Sequence, residues 1–286
     1  HLFDVVGRDA DFTKYKVLVL PDGIIGDDCL KKSIDAFIAG GGHILASGIS
    51  GTGAVCADGR IAMKLPLGVQ WLGQDPDFPN YIQPEFPLGD LDATSFVMYF
   101  GSQEIEQEGK HTVLGWKEKP FFKRDLTHFS SHYHTVGNRE KASPGIVENT
   151  VGIYIAWNIF EEYARKGSLS AKYIVSYLLD RLLEKGKTLE GSFSTHTEVT
   201  LMHQESENRD ILHLIHGSPV ARGVGLHIVE ENLPSPDFPV KIRVGKTVKR
   251  VYLAPMGSDI PYRQDNDGVS LTVPSFICHQ MVVLEY

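Results

Sequence analysis

The chain has 286 residues, of which 42% are hydrophobic and 22% charged, and this balance is ordinary for a globular protein with room for two domains. The formal net charge of -8 argues against nucleic acid or an anionic membrane surface as a partner, because both require a basic face. No apolar run approaches the ~20 residues that cross a bilayer, so we expect neither a membrane span nor a membrane partner.

The number and spacing of the cysteines indicate the compartment in which the protein works. Three scattered cysteines, Cys29, Cys56 and Cys278, favour a reducing compartment over a disulfide framework. We therefore expect a cytoplasmic protein, with a secreted or periplasmic location as the alternative if a preceding segment carries a signal.

The chain starts as HLFDVV, without an initiator methionine, and soon enters its first strand. We expect a fragment of a longer polypeptide, with a processed N-terminus as the alternative.

Residues 15–53 predict a complete strand, helix and strand unit. Four apolar residues, Val17 to Leu20, stop at a Pro-Asp-Gly turn, as a short buried strand does. Asp27 or Asp28 can cap the helix that follows, whose apolar residues recur at helical spacing. A run of three glycines ends this helix, so the chain can return as a parallel strand from His43 to Ser47.

The middle of the chain alternates between irregular and strand-like segments. Residues 54–94 contain closely spaced prolines, which disfavour long helices and central strands and predict a surface insertion poor in strands. Strands are predicted over 95–100 and 111–116, and a strand, turn and strand over 146–156. The intervening residues 117–144 are predicted to be irregular.

Two helices are predicted to close the first domain. The shorter one covers residues 157–166. Ser168 or Ser170 can cap the longer one, whose broad apolar stripe ends at Gly186.

A second domain is predicted from residue 190 onward, where short β-rich runs are separated by Asn, Gly, Pro and Asp. These runs cover 197–203, 210–216, 225–229, 240–244, 248–253, 269–273 and 281–285. We therefore predict an α/β plus all-β chain with domains 1–189 and 190–286. The first contains a doubly wound sheet and the second is a small antiparallel β-sandwich.

Several segments resemble known families. FDVV, YKVLVLPDG and AGGGHILASGISG, with the closing helix pair, resemble the trimerisation domain of bacterial β-galactosidases, which is itself similar to class I glutamine amidotransferases. HFSSHYH, EVTLMHQ, DILHLIHGSP and VKRVYLAPMGSD are similar to the C-terminal half of a group of glycoside hydrolases that includes certain α-L-fucosidases. The resemblance implies a flavodoxin-like, amidotransferase-like first domain. It also implies a (β/α)₈ catalytic barrel earlier in the same polypeptide.

The turn after the second strand is where amidotransferases carry a cysteine nucleophile. Here the turn contains Gly48, Ile49 and Ser50 and no cysteine, and Cys56 lies further along the chain. Ser50 could replace the cysteine only beside a positioned general base, and glycines around a serine are more often a plain turn. We therefore expect a degenerate nucleophile turn. The alternative is a free-standing hydrolase or amidase that uses Ser50 or Cys56.

A histidine cluster, His128, His132 and His134, is the sharpest local signal. Three imidazoles at this spacing could surround a zinc ion, or a neutral pair of them could surround a substrate hydroxyl. The sequence offers no helical frame or obvious carboxylate to fix their geometry, so histidines that bond loop backbone are the simpler interpretation. We predict no metal site and no cofactor. A contribution of the three histidines to a neighbouring catalytic pocket is a hypothesis.

A glycosidase needs two carboxylates that face one sugar, usually at the ends of barrel strands. The chain has 36 acidic residues but no series of eight strand–helix units to position them. Helix capping explains Asp22, Asp27 and Asp28, and an exposed helix face explains Glu161 and Glu162. We therefore assign no catalytic residue to this chain.

The predicted function is that of a non-catalytic accessory and oligomerisation region in a multidomain glycoside hydrolase that acts on a fucoside or galactoside. Its expected partners are the catalytic barrel of the same polypeptide, further copies of the protein, and carbohydrate. A carbohydrate-binding module is a further alternative. Sugars stack on exposed aromatic rings, and Tyr252, Tyr262 and Tyr286 are the aromatic candidates in the second domain.

Overall fold

The computed structural model describes residues 1–55, 61–92, 94–132, 134–184 and 186–286. Among these residues, 42% are in strands and 15% in helices. The chain divides into two compact units, Val6–Glu184 and a second unit of His1–Val5 with Lys185–Tyr286. Each unit has a hydrophobic core of its own. Among the described residues, no helix has both the length and the apolar character needed to cross a membrane.

The first unit combines a seven-stranded sheet, a two-stranded sheet and α-helices. A short 3₁₀ helix, Phe12–Lys14, precedes the first strand. In chain order the elements are β1 (Val17–Leu20), α1 (Asp28–Ala39), β2 (His43–Ser47), β3 (Val69–Gln74), β4 (Asn80–Pro84), β5 (Phe96–Met98), β6 (Gln103–Gln107), β7 (His111–Pro120), β8 (Gly137–Asn149), β9 (Gly152–Ile155), α2 (Ile159–Lys166) and α3 (Leu169–Leu183).

The large sheet is mixed, with the strand order β1-β2-β9-β8-β7-β4-β5. Strands β1, β2 and β9 are parallel to one another, whereas each neighbouring pair from β9 to β5 is antiparallel. The expectation of a doubly wound sheet does not hold for these antiparallel strands. They pair directly with their sheet neighbours instead of alternating with crossover helices.

The β1-α1-β2 unit forms as its local sequence predicts. The Asp27 carboxylate accepts a hydrogen bond from the Leu30 N–H at 2.8 Å and so caps α1. Leu30, Ile34 and Phe37 lie on the buried side of the helix. Gly42 follows α1, where a Cβ would lie 2.3 Å from the Phe37 ring, so the close return of the chain requires glycine.

The middle of the unit is more ordered than its proline content predicts. Strands β3 and β4 lie inside the predicted strand-poor insertion, and β4 is paired on both sides, with β5 and β7. Pro79 precedes β4 and Pro84 is its last residue, so the prolines flank the strand without interrupting it. The expected irregular segment 117–144 is also partly strand, because β7 continues to Pro120 and β8 begins at Gly137.

The second unit is all-β apart from the 3₁₀ turn Glu205–Glu207 in its described residues. Its strands are β10 (Leu189–Gly191), β11 (Thr197–Gln204), β12 (Arg209–His216), β13 (Val220–Gly223), β14 (Leu226–Ile228), β15 (Phe238–Ile242), β16 (Arg250–Ala254), β17 (Ser258–Asp259), β18 (Tyr262–Asp265), β19 (Gly268–Val273) and β20 (His279–Glu285).

Two antiparallel sheets share the core of this unit. One has the order β10-β15-β19-β18 and the other β11-β12-β20-β16-β17, while β13 and β14 form a separate hairpin. Buried residues of both sheets, such as Val240 and Leu271 from one and Leu212 and Val282 from the other, belong to a single hydrophobic cluster. This arrangement of small antiparallel sheets agrees with the all-β character predicted for this part of the chain.

Candidate functional site

The predicted nucleophile turn follows β2 and is closed to solvent at Ser50. The Ser50 side chain is fully buried, and its Oγ accepts a hydrogen bond from the Ile24 N–H at 3.1 Å. Gly48 has a φ of +59°, and a Cβ there would lie 2.5 Å from the Asp22 carbonyl oxygen. The Tyr154 hydroxyl donates to the Gly48 carbonyl. This turn therefore packs against its neighbours without presenting a serine to a substrate.

Asp22 organises the polar groups around this turn. The Ser47 hydroxyl donates to the Asp22 carboxylate at 2.7 Å, and the same carboxylate accepts the Glu161 N–H at 2.7 Å. The Asn158 side chain caps no backbone N–H of α2, so Asp22 acts as the cap of that helix from a distant part of the chain. Burial raises the pKa of Asp22, while its hydrogen bond from Ser47 acts in the opposite direction.

The cysteine alternative at this turn concerns Cys56, which lies outside the described residues. Within the described residues, Cys29 and Cys278 are exposed and form no disulfide.

The three histidines of the cluster occupy different environments. His128 is exposed, with its Nδ1 3.1 Å from the Asp125 carboxylate, and its ring centroid lies 5.7 Å from that of Phe122. His132 is also exposed, and its Nδ1 contacts the Ser131 hydroxyl at 3.1 Å. Tyr133, between His132 and His134 in sequence, lies outside the described residues. Asp125, three residues before His128, is therefore a carboxylate partner of the cluster.

His134 is more enclosed than the other two histidines. Its ring lies edge-on to Tyr81 and Tyr99, with centroid distances of 6.5 and 5.4 Å, and its Nδ1 is 3.2 Å from the Tyr99 hydroxyl. The Tyr81 hydroxyl donates to the Thr135 carbonyl, which fixes the loop beside His134. Neither tyrosine could be assigned to the site from sequence, because both lie far from the cluster in the chain.

A pocket of about 340 Å³ opens beside His134. Aromatic, basic and imidazole side chains line it together, a combination that suits a polar ligand with an apolar face. Its lining residues are Phe78, Pro79, Pro120, Phe122, Lys123, Arg124, His134 and Thr135. The run PFFKRD, directly before the histidine cluster, is the sequence signal that could have indicated these residues.

The loop beside the pocket is held by local polar contacts. The Thr127 hydroxyl and N–H, together with His128, hold the pKa of Asp125 well below its usual range. The Arg124 guanidinium lies 5.7 Å from the centroid of the exposed Phe129 ring. No group of three His, Cys, Asp or Glu side chains within the described residues is arranged to hold a metal ion.

Glu162 differs from its prediction as an exposed residue of α2. Its side chain is buried, and its carboxylate accepts the N–H groups of Tyr99 at 2.7 Å and Phe100 at 3.2 Å. Burial raises the pKa of Glu162. The carboxylate thus ties α2 to the segment that carries Tyr99, and it does not line the pocket beside His134.

Two glycoside hydrolases of known structure share this architecture, so the chain is a glycoside hydrolase-related region. α-L-Fucosidase isoenzyme 2 from Paenibacillus thiaminolyticus is 41% identical, with a TM-score of 0.92 over 99% of this chain and 43% of the fucosidase. Gan42B, a GH42 β-galactosidase, shares the fold at 14% identity and a TM-score of 0.55, over 98% of this chain and 33% of that protein. The chain thus spans less than half the length of either protein. No protein-family model and no curated protein sequence matches it.

Proposed function

We propose that the chain is a non-catalytic accessory and oligomerisation region of a multidomain glycoside hydrolase that acts on a fucoside or galactoside. The observation that carries the proposal is the similarity to an α-L-fucosidase over 99% of this chain but 43% of that enzyme. More than half of the fucosidase therefore has no counterpart here. In this proposal a catalytic barrel belongs to the same polypeptide, and the amidotransferase-like, trimerisation-like region corresponds to residues 1–189, followed by a β-sandwich over 190–286.

The condition of the nucleophile turn supports the non-catalytic role. A serine nucleophile needs a general base within hydrogen-bond reach and access to the substrate. Ser50 is buried and its oxygen is engaged by the Ile24 N–H. The competing function, a free-standing hydrolase or amidase, would then depend on Cys56.

The histidine loop gives the accessory role a specific form. We infer that the pocket beside His134 forms part of the rim of a neighbouring active site, where the imidazole and the adjacent Lys123 and Arg124 can contact sugar hydroxyls. His128 and His132, which are exposed on the same loop, lie further towards solvent and are expected to contribute less.

The test uses the polypeptide encoded by the complete reading frame, assayed on 4-nitrophenyl α-L-fucoside and β-D-galactoside. We expect one of the two to be hydrolysed and light scattering to show an oligomer. His134→Ala should lower kcat/KM about tenfold or more, as loss of one hydrogen bond of about 1.4 kcal/mol would. His111→Ala is the matched control, because His111 is an exposed histidine whose ring contacts the Gly109 carbonyl. A monomer, or equal kcat/KM for the two variants, would contradict the corresponding part of the proposal.

A further inference from the structure

The second unit carries an open groove of about 850 Å³ on the sheet β10-β15-β19-β18. This volume lies in the range of ligand-binding sites, about 300–1,000 Å³. The groove runs across the sheet from β10 to the edge strand β18. Its polar lining residues include Glu190, Ser192, Lys241, Ser270 and Thr272.

Hydroxyl groups along the groove are available to a ligand. Ser270 and Thr272 alternate along β19 with apolar residues that are buried in the core, so both face away from it. Ser192 is exposed at the end of β10. No hydrogen bond among the described residues uses the side-chain hydroxyls of these three residues. Each can donate and accept, which matches the hydroxyls of a sugar.

One acidic and one basic side chain complete the polar lining. The Glu190 carboxylate is oriented by the Arg243 guanidinium at 2.8 Å. Lys241 is opposite Glu190 in the strand register, and its ammonium lies 3.5 Å from the Asp267 carboxylate. The groove therefore presents charges of both signs, which disfavours a strongly anionic or cationic ligand and suits a neutral polar one.

Apolar surfaces border the same groove. Pro239 and Pro261 are exposed, and Tyr262 lies beside them with its hydroxyl donating to the Val248 carbonyl at 3.1 Å. The other candidate tyrosines lie outside the groove and under cations: the Arg250 guanidinium is 4.4 Å from the Tyr252 ring centroid, and the Lys246 ammonium is 5.1 Å from that of Tyr286. Tyr262 is thus the tyrosine of the three that a ligand in the groove would meet.

We propose that this groove binds a neutral oligosaccharide. The three hydroxyls, Glu190 and Lys241 would contact sugar hydroxyls, and the two prolines with Tyr262 would contact the C–H faces of the sugar rings. The proposal rests on the proposed glycoside hydrolase role for the choice of sugars. The test measures sugar binding and requires no hydrolysis. A groove that fails to bind sugar can therefore be distinguished from a polypeptide that lacks glycoside hydrolase activity.

Isothermal titration calorimetry of the 286-residue chain with lactose and with fucosyllactose tests the groove directly. We expect a dissociation constant of about 1 mM for at least one of them, the weak affinity of a shallow site. Lys241→Ala and Thr272→Ala should each weaken binding about fivefold, as loss of one hydrogen bond does. Thr200→Ala is the matched control, since Thr200 is an exposed strand threonine on the other sheet, and it should leave the affinity unchanged.

The proposal is overturned if neither sugar gives binding heat, or if the two groove variants bind as tightly as Thr200→Ala. Thermal unfolding of each variant checks that the substitutions leave the fold intact. If a groove variant unfolds at a lower temperature than the unmodified chain, NMR replaces it as the test. The backbone amide chemical shifts of the unmodified chain are then compared with and without sugar. Shifts confined to residues of β10, β15 and β19 support the groove, and shifts elsewhere overturn it.

Discussion

Replacing Asp22 with alanine tests whether the turn after β2 is a structural feature. The substitution removes the cap of α2, which costs about 0.5–2 kcal/mol. It also leaves the buried Ser47 hydroxyl without its acceptor, at a cost of about 1–3 kcal/mol. The two contributions are partly shared, so we expect the first unit to lose about 2–4 kcal/mol of unfolding free energy.

Urea unfolding followed by tryptophan fluorescence is the appropriate assay. All three tryptophans, Trp71, Trp116 and Trp157, belong to the first unit, so the signal reports that unit. Asp28→Ala is the control, because the Asp28 side chain is 91% exposed and its ion pair with Lys64 lies at the surface. Its removal should cost less than about 1 kcal/mol. Equal losses of unfolding free energy for the two variants would refute the capping role of Asp22. The raised pKa of Asp22 would then need a functional explanation.

Two further predictions concern buried charges in the first unit. Glu162 has a folded-state pKa raised above 4.5, so its stabilising contribution is complete below 4.5 and is lost as the pH rises through the raised value. The unmodified chain should therefore gain stability relative to Glu162→Gln as the pH falls from 7 towards 4.5 in the same fluorescence assay, and an opposite slope would refute the burial argument. Lys117→Ala should cost about 3–5 kcal/mol, because the Lys117 ammonium is buried 3.0 Å from the Asp75 carboxylate. Lys141→Ala, at the exposed ion pair with Glu85, should cost less than about 1 kcal/mol, and similar losses for the two lysines would contradict this account.

Local patterns predicted the parts of the fold that depend on neighbouring residues. The glycine stop and aspartate cap around α1 act within a few residues, and both are present in the structure. The alternation over 197–203 and 210–216 corresponds to β11 and β12. Strand β4 was not predicted, because what makes it central is pairing with β5 and β7 further along the chain. Proline spacing alone could not show that the prolines stand at its ends.

In the candidate site too, features set by neighbouring residues could be predicted and contacts between distant residues could not. The histidine loop was evident from its composition, whereas the partners of His134 come from strands and loops distant in sequence. Glu162 has the spacing of a surface helical residue, yet the Tyr99 and Phe100 segment covers it. Capping of α2 by Asp22 joins residues more than a hundred positions apart, so no local sequence motif could predict it.

The most direct test of the account is a hydrolysis assay of the 286-residue chain alone on aryl α-L-fucosides and β-D-galactosides. We predict no turnover above the buffer background, and none above that of a Ser50→Ala, Cys56→Ala double variant, because Ser50 is buried and the proposed function assigns the catalytic carboxylates to another part of the polypeptide. Clear turnover by the unmodified chain that the double variant lacks would contradict the account and place catalysis at the turn after β2.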